Sequence, residues 1–107
     1  MKKWYIIHGD NLEAAKAVFA AVSRYTVASC MHIRELTDEI QSGGSLIYVG
    51  VKGIIDVPKD GYRIKVFKNE SNNEAVILDG DGYANTLYAA MDFENKYLVK
   101  AIDANKH

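Results

Sequence analysis

Two short runs in this chain, LIYV at positions 46–49 and AVIL at 75–78, are apolar at every position, and that lack of alternation constrains the fold more than any other feature. A strand with one wet face alternates polar and apolar residues, whereas a strand apolar throughout needs cover on both faces. Both runs therefore belong inside a sheet with other elements packed above and below it. Between them YRIKVFK (62–68) does alternate: Tyr62, Ile64 and Val66 point one way and Arg63 and Lys65 the other, which marks a half-exposed strand. The polar NESNN that follows reads as a hairpin turn, so this strand and the 75–78 run are expected to pair antiparallel.

The sheet needs helices to cover it, and the sequence supplies two main ones. A short β-prone run at 4–7 is followed by HGDN and then a helical pattern over 11–25. Asp10, with Glu13 three positions on, has the arrangement of a capping box. At 100° per residue Leu12, Ala15, Val18, Phe19 and Val22 fall on one arc, away from Glu13, Lys16 and Arg24. The last helix is expected over 85–98, its apolar arc made by Leu87, Ala90, Met91, Phe93, Tyr97 and Leu98, with Glu94 near the middle of that arc. A carboxylate there must find a partner or reach solvent. Residues 26–45 carry the weakest pattern: TVASCM fits an edge strand and RELTDEIQ a short helix closed by Gly43 and Gly44. The expected class is α+β, a two-layer arrangement with a mixed sheet of about four strands and two main helices packed on it, in the order β-α-β-β-β-α.

At 107 residues the chain is expected to form a single domain, with little scaffold for a deep catalytic cleft. Thirteen basic against fourteen acidic residues, scattered along the chain, give a net charge of −1 and offer no basic stripe for a nucleic-acid backbone. No apolar run approaches the ~20 residues of a membrane span. The opening MKKWYIIHGD is a poor secretory leader, because its apolar stretch is cut short by His8 and Asp10. One cysteine, Cys30, excludes an internal disulfide framework.

Few residues offer chemistry. His8, Cys30 and His32 are metal-ligand types, but without CxxC or HxxxH spacing they read as a buried thiol and two ordinary histidines. DGDGY, with Asp79 and Asp81, has the start of a calcium loop and lacks the later ligands, so it reads as a strand-to-helix turn that needs Gly80 and Gly82 for unusual backbone angles. HGDN sits where a phosphate loop would, but Asp10 would repel the ligand. Asp92 and Glu94 diverge by about 200° on a helix and cannot flank one glycosidic bond. No metal and no cofactor is expected. Tyr48, Tyr62, Tyr83 and Tyr88 are candidates for a sugar-stacking surface, against the commoner role of such tyrosines in core or interface.

From position 45 onward the order LIYVG, DGYRIKV, AVILDGDGYANTLYAAMDFENKYL resembles the non-catalytic domain that precedes the barrel in α-glucuronidases and β-N-acetylhexosaminidases. Asp60, Gly61, Tyr62 and Ile64 fit one signature of that domain; Thr86, Leu87, Tyr88, Asp92, Phe93, Tyr97 and Leu98 fit the second. Asn85 and Ala89 stand where glycines are usual, Glu94 where leucine is usual, and Val99 in place of a closing glycine. The resemblance implies an accessory domain of a glycoside hydrolase whose catalytic carboxylates lie in the barrel and not in this segment. It also implies that the last helix meets the barrel, with Tyr88, Glu94 and Tyr97 as interface residues and Glu94 paired across to it. If such a parent is exported, the domain would work outside the cytoplasm, in the periplasm or secreted. The competing reading is a free-standing module that binds carbohydrate or protein. An accessory domain should show an apolar patch on the last helix, and a free module should gather its exposed aromatics in a groove.

Overall fold

A computed structural model of the chain describes residues 3–100. Its elements are strand β1 (Trp4–His8), helix α1 (Leu12–Ser23), strand β2 (Ala28–His32), a 3-10 turn (Ile33–Glu35), helix α2 (Asp38–Gly43), strands β3 (Ser45–Val49), β4 (Tyr62–Lys68) and β5 (Glu74–Gly80), and helix α3 (Tyr83–Lys96). The fold is α+β with one mixed sheet of five strands in the order β2-β1-β3-β5-β4. β2, β1, β3 and β5 run parallel, and β4 pairs antiparallel with β5. β3 and β5 lie inside the sheet, as their unbroken apolar runs demanded, and in β4 Ile64 pairs with Leu78 and packs against the main core. Val66, expected on the same covered side, is exposed, while Phe67 on the other side is half-buried.

The fifth strand is β2, from the segment with the weakest pattern. It lies at the sheet edge with every residue only half-buried, so ASCMH needs no apolar run. Helix α2 is short. Thr37 starts it by accepting a hydrogen bond from the Ile40 amide, and Gly43 ends it.

α1 and α3 cover one face of the sheet. Trp4, Ile6, Ile47, Val49, Val76 and Leu78 point into that layer and meet Val18, Val22 and Phe93. Ala14, Ala15 and Ala21 on α1 and Ala89 and Ala90 on α3 are all buried, and their small size lets the two helices approach each other and the sheet. The opposite face holds a smaller cluster in which Ile7, Leu46 and Val51 meet Ile33, Leu36 and Ile40.

Several local expectations are corrected. Asn11, not Asp10, caps α1: its Oδ1 accepts from the Ala14 amide, and the side chain is buried. An asparagine cap of this kind stabilises a helix by about 0.5–2 kcal/mol. Leu12 precedes the buried arc and is exposed. On α3 the buried side is Thr86, Ala89, Ala90 and Phe93, so Met91 and Tyr97 face outward rather than into the core. Glu94 borders α1, where its carboxylate accepts from the Arg24 guanidinium, so its partner lies within this chain. Gly82 has the unusual backbone angle expected of it, with φ +87°, but Gly80 is required for another reason: its Cα packs against the backbone of Asn85 and Thr86.

Candidate functional site

The outer side of α3 is the first candidate. Tyr88 and Met91 lie there three apart, and residues so spaced form one of the ridges by which helices pack into grooves. Each further step of three turns about 60° around the helix, so Glu94 borders α1 and Tyr97 lies half a turn round from Tyr88. Tyr88 and Met91 are 55% and 56% exposed and belong to neither buried cluster. Tyr97 is also exposed, at the helix C-cap. The helix is held rigidly behind this ridge. Phe93 and Leu98 are buried beneath it, Tyr83 donates to Glu13 on α1, and Tyr62 Oη on β4 donates to Asp92 Oδ2 at 2.9 Å. Lys96 Nζ lies 2.9 Å from the other Asp92 oxygen. The Lys96 ammonium and then the Tyr62 hydroxyl hold the Asp92 carboxyl below the usual range, and Asp92 in turn raises Tyr62 and Lys96. These groups are solvated, so the cluster orients side chains more than it stabilises the fold.

The two signatures noted in the sequence meet here. The Tyr62–Asp92 bond joins them directly. The Asp60 amide donates to Asp81 Oδ2 at 2.7 Å, and the Asp81 amide returns a bond to the Gly61 carbonyl at 2.8 Å. Asp60 takes φ +57° at this turn, an angle asparagine and aspartate accept more readily than most residues.

The second candidate is a crevice of about 210 Å³ beyond the carboxyl ends of β1, β3 and β5, lined by Asp10, Asn11, Gly50, Lys52, Tyr83 and Thr86. Open parallel sheets commonly bind ligands in this position. Here the Asn11 and Lys52 side chains are committed to the fold. Asn11 Nδ2 donates to the Tyr83 carbonyl at 3.3 Å, and Lys52 Nζ reaches Asp79 Oδ1 at 2.7 Å and the Gly80 carbonyl at 3.0 Å. Asp79 and Asp81 thus serve as structural acceptors. The Asp79 side chain is only 2% exposed, and its other bond comes from the Gly80 amide. Lys52→Met leaves that carboxylate without its countercharge and is expected to lower stability by about 1–3 kcal/mol, the penalty for an unpaired buried acceptor. Urea unfolding at neutral pH measures it; an unchanged midpoint would mean that Asp79 reaches water.

Among the other sequence candidates, the parallel register of β1 and β2 brings His8 and His32 together, ring centroids 5.2 Å apart at 86°. His8 Nδ1 faces the Gly9 carbonyl at 2.8 Å, and His32 Nδ1 accepts from the Arg34 amide as the cap of the 3-10 turn. Cys30 packs against the main core instead, and burial raises its thiol pKa, with Lys16 lowering it less. Among the described residues no group of three or more His, Cys, Asp or Glu is placed to hold a metal ion. No described helix is long and apolar enough to cross a membrane.

The four tyrosines considered for sugar stacking are not gathered on one surface. Tyr48 lies on the α2 side of the sheet, Tyr62 packs at the edge of α3, Tyr83 opens α3 beside the crevice, and Tyr88 stands on the outer ridge. The ridge residue that sequence reasoning missed is Met91, assigned to the core because it is apolar. Comparison with known proteins adds no relative: no family model, no curated protein and no solved structure matches this chain.

Proposed function

We propose that this chain is the non-catalytic accessory domain preceding the barrel of a glycoside hydrolase, and that it docks to the barrel through the outer ridge of α3. The observation that carries the proposal is the pair Tyr88 and Met91, large side chains more than half exposed and successive on one packing ridge. The resemblance supports it in a second way. Of the residues that carry the resemblance, Thr86, Phe93 and Leu98 are core, and Tyr62 and Asp92 hold the helix to β4. Tyr88 has no such role in either cluster, which leaves an interface as its use. In this reading the domain performs no bond-making step; it fixes one wall of the barrel, and cleavage of the glycosidic bond belongs to its partner.

The test is a double substitution, Tyr88→Ser with Met91→Ser. In the 107-residue chain it should leave the unfolding midpoint within about 0.5 kcal/mol of the parent, as expected for surface sites. In the natural gene product, the same pair should open the junction after α3 to limited proteolysis. Equal protease resistance, or a natural product no heavier than this chain, would overturn the proposal.

A further inference from the structure

The face of the sheet opposite α1 and α3 is only partly covered: α2 spans six residues, packs Ile40 with the cluster on β1 and β3, and reaches the β4–β5 hairpin only through the carbonyls at its C-terminal end. Beside it lies a groove of about 460 Å³, within the ~300–1,000 Å³ typical of small-molecule sites. Its shape follows from register. Ala75 on β5 pairs with Leu46 on one side and Phe67 on the other, so a methyl group lies between two large side chains. Strands are spaced about 4.8 Å apart, which places the two walls roughly 10 Å apart with a trough between them. Tyr48, two positions beyond Leu46 on the same strand, adds a second ring to the β3 wall.

The walls are fixed. Asn69 Nδ2 on the hairpin turn donates to the Gln41 carbonyl of α2 at 3.3 Å, and Asn73 Nδ2 donates to the Ser42 carbonyl at 3.0 Å. Asn69 Oδ1 also accepts from the Ser71 and Asn73 amides, which holds the turn itself. A groove tied open in this way loses little conformational freedom when it is filled.

The geometry points to a binding site for a short neutral oligosaccharide in this groove. Rings of Tyr48 and Phe67 suit the apolar face of a sugar, while Asp38, Gln41 and Glu70 on the rim supply carboxylate and amide groups for its hydroxyls. Charge argues against an anionic ligand, because the rim carries the carboxylates of Asp38 and Glu70. The site stands apart from docking through α3, because the two lie on opposite faces of the sheet.

An NMR titration of the 107-residue chain with xylotetraose, cellotetraose and chitotetraose, and separately with tetralysine, tests the assignment. Millimolar binding of at least one glycan is expected, with amide shifts confined to residues 38–42, 46–48 and 67–71. Phe67→Ala should weaken it about tenfold, the range of one aromatic packing contact. If that variant fails to fold, Gln41→Ala with Glu70→Ala, both exposed positions, should weaken binding in a folded protein. Tyr88→Ser with Met91→Ser should leave it unchanged, which separates this site from the docking ridge. No shift with any glycan at tens of millimolar, shifts with tetralysine alone, or shifts that survive the groove substitutions would overturn it.

Discussion

Phe93→Ala is expected to destabilise the domain by about 3–5 kcal/mol, the usual cost of removing a buried phenyl ring and leaving a cavity. Phe93 is fully buried and central to the layer between sheet and helices, with Trp4, Val18, Leu78 and the alanines of both helices in the same cluster. Those alanines cannot swing in to fill the space. In a domain of this size the loss corresponds to a melting temperature lower by roughly 15–30 °C. Calorimetry checks it. A variant melting within a few degrees of the parent would mean that α3 is not anchored through this ring, and the rigid ridge above it would lose its foundation.

Gly80→Ala is the second large effect. A Cβ at Gly80 would lie 2.3 Å from the Asn85 carbonyl carbon, 2.4 Å from the Thr86 nitrogen and 2.6 Å from the Asn85 oxygen. All three are backbone atoms, so no side-chain rotation relieves the clash. The first turn of α3 would have to move away from the end of β5, breaking the Thr86 hydroxyl bond to the Gly80 carbonyl. The expected loss is about 3 kcal/mol, at the upper end of overpacking costs. Gly43→Ala is the control: a Cβ there meets nothing within 4 Å, its φ is not positive, and it should cost nothing measurable. Equal melting of the two variants would contradict the close approach of strand and helix.

The same packing explains what was legible in the sequence. β3 and β5 announce themselves because burial on both faces leaves no polar position among Leu46, Ile47, Val76 or Leu78. β4 is legible in part for the opposite reason, since Ile64 packs on the main core while Arg63 and Lys65 are exposed, but Val66 is exposed and Phe67 half-buried against its pattern. β2 gives little signal, because an edge strand half-covered on both sides tolerates ASCMH. Helix faces are misplaced for a physical reason. Apolar patterning is dominated by large residues such as Leu12 and Met91, whereas close packing of α1, α3 and the sheet selects Ala14, Ala21, Ala89 and Thr86. Glu94 falls mid-arc only if Met91 is counted as core; with the true buried side it borders α1 and meets Arg24.

The site was legible only in part. Tyr88 and Tyr97 are exposed on the last helix, Glu94 has a partner inside the chain, and Met91 stands beside Tyr88 on the outer side. The groove was not legible at all. It depends on Ala75 lying between Leu46 and Phe67, a register across three strands that local pattern does not encode.

The central claim, that the outer ridge of α3 is covered in the natural protein, is tested most directly by the oxidation rate of Met91. Mild peroxide converts accessible methionine to its sulfoxide, and peptide mass spectrometry reads each site separately. Met91 should oxidise rapidly in the 107-residue chain, where it is 56% exposed, and at least about tenfold more slowly in the natural gene product. Equal rates in the two would contradict the claim.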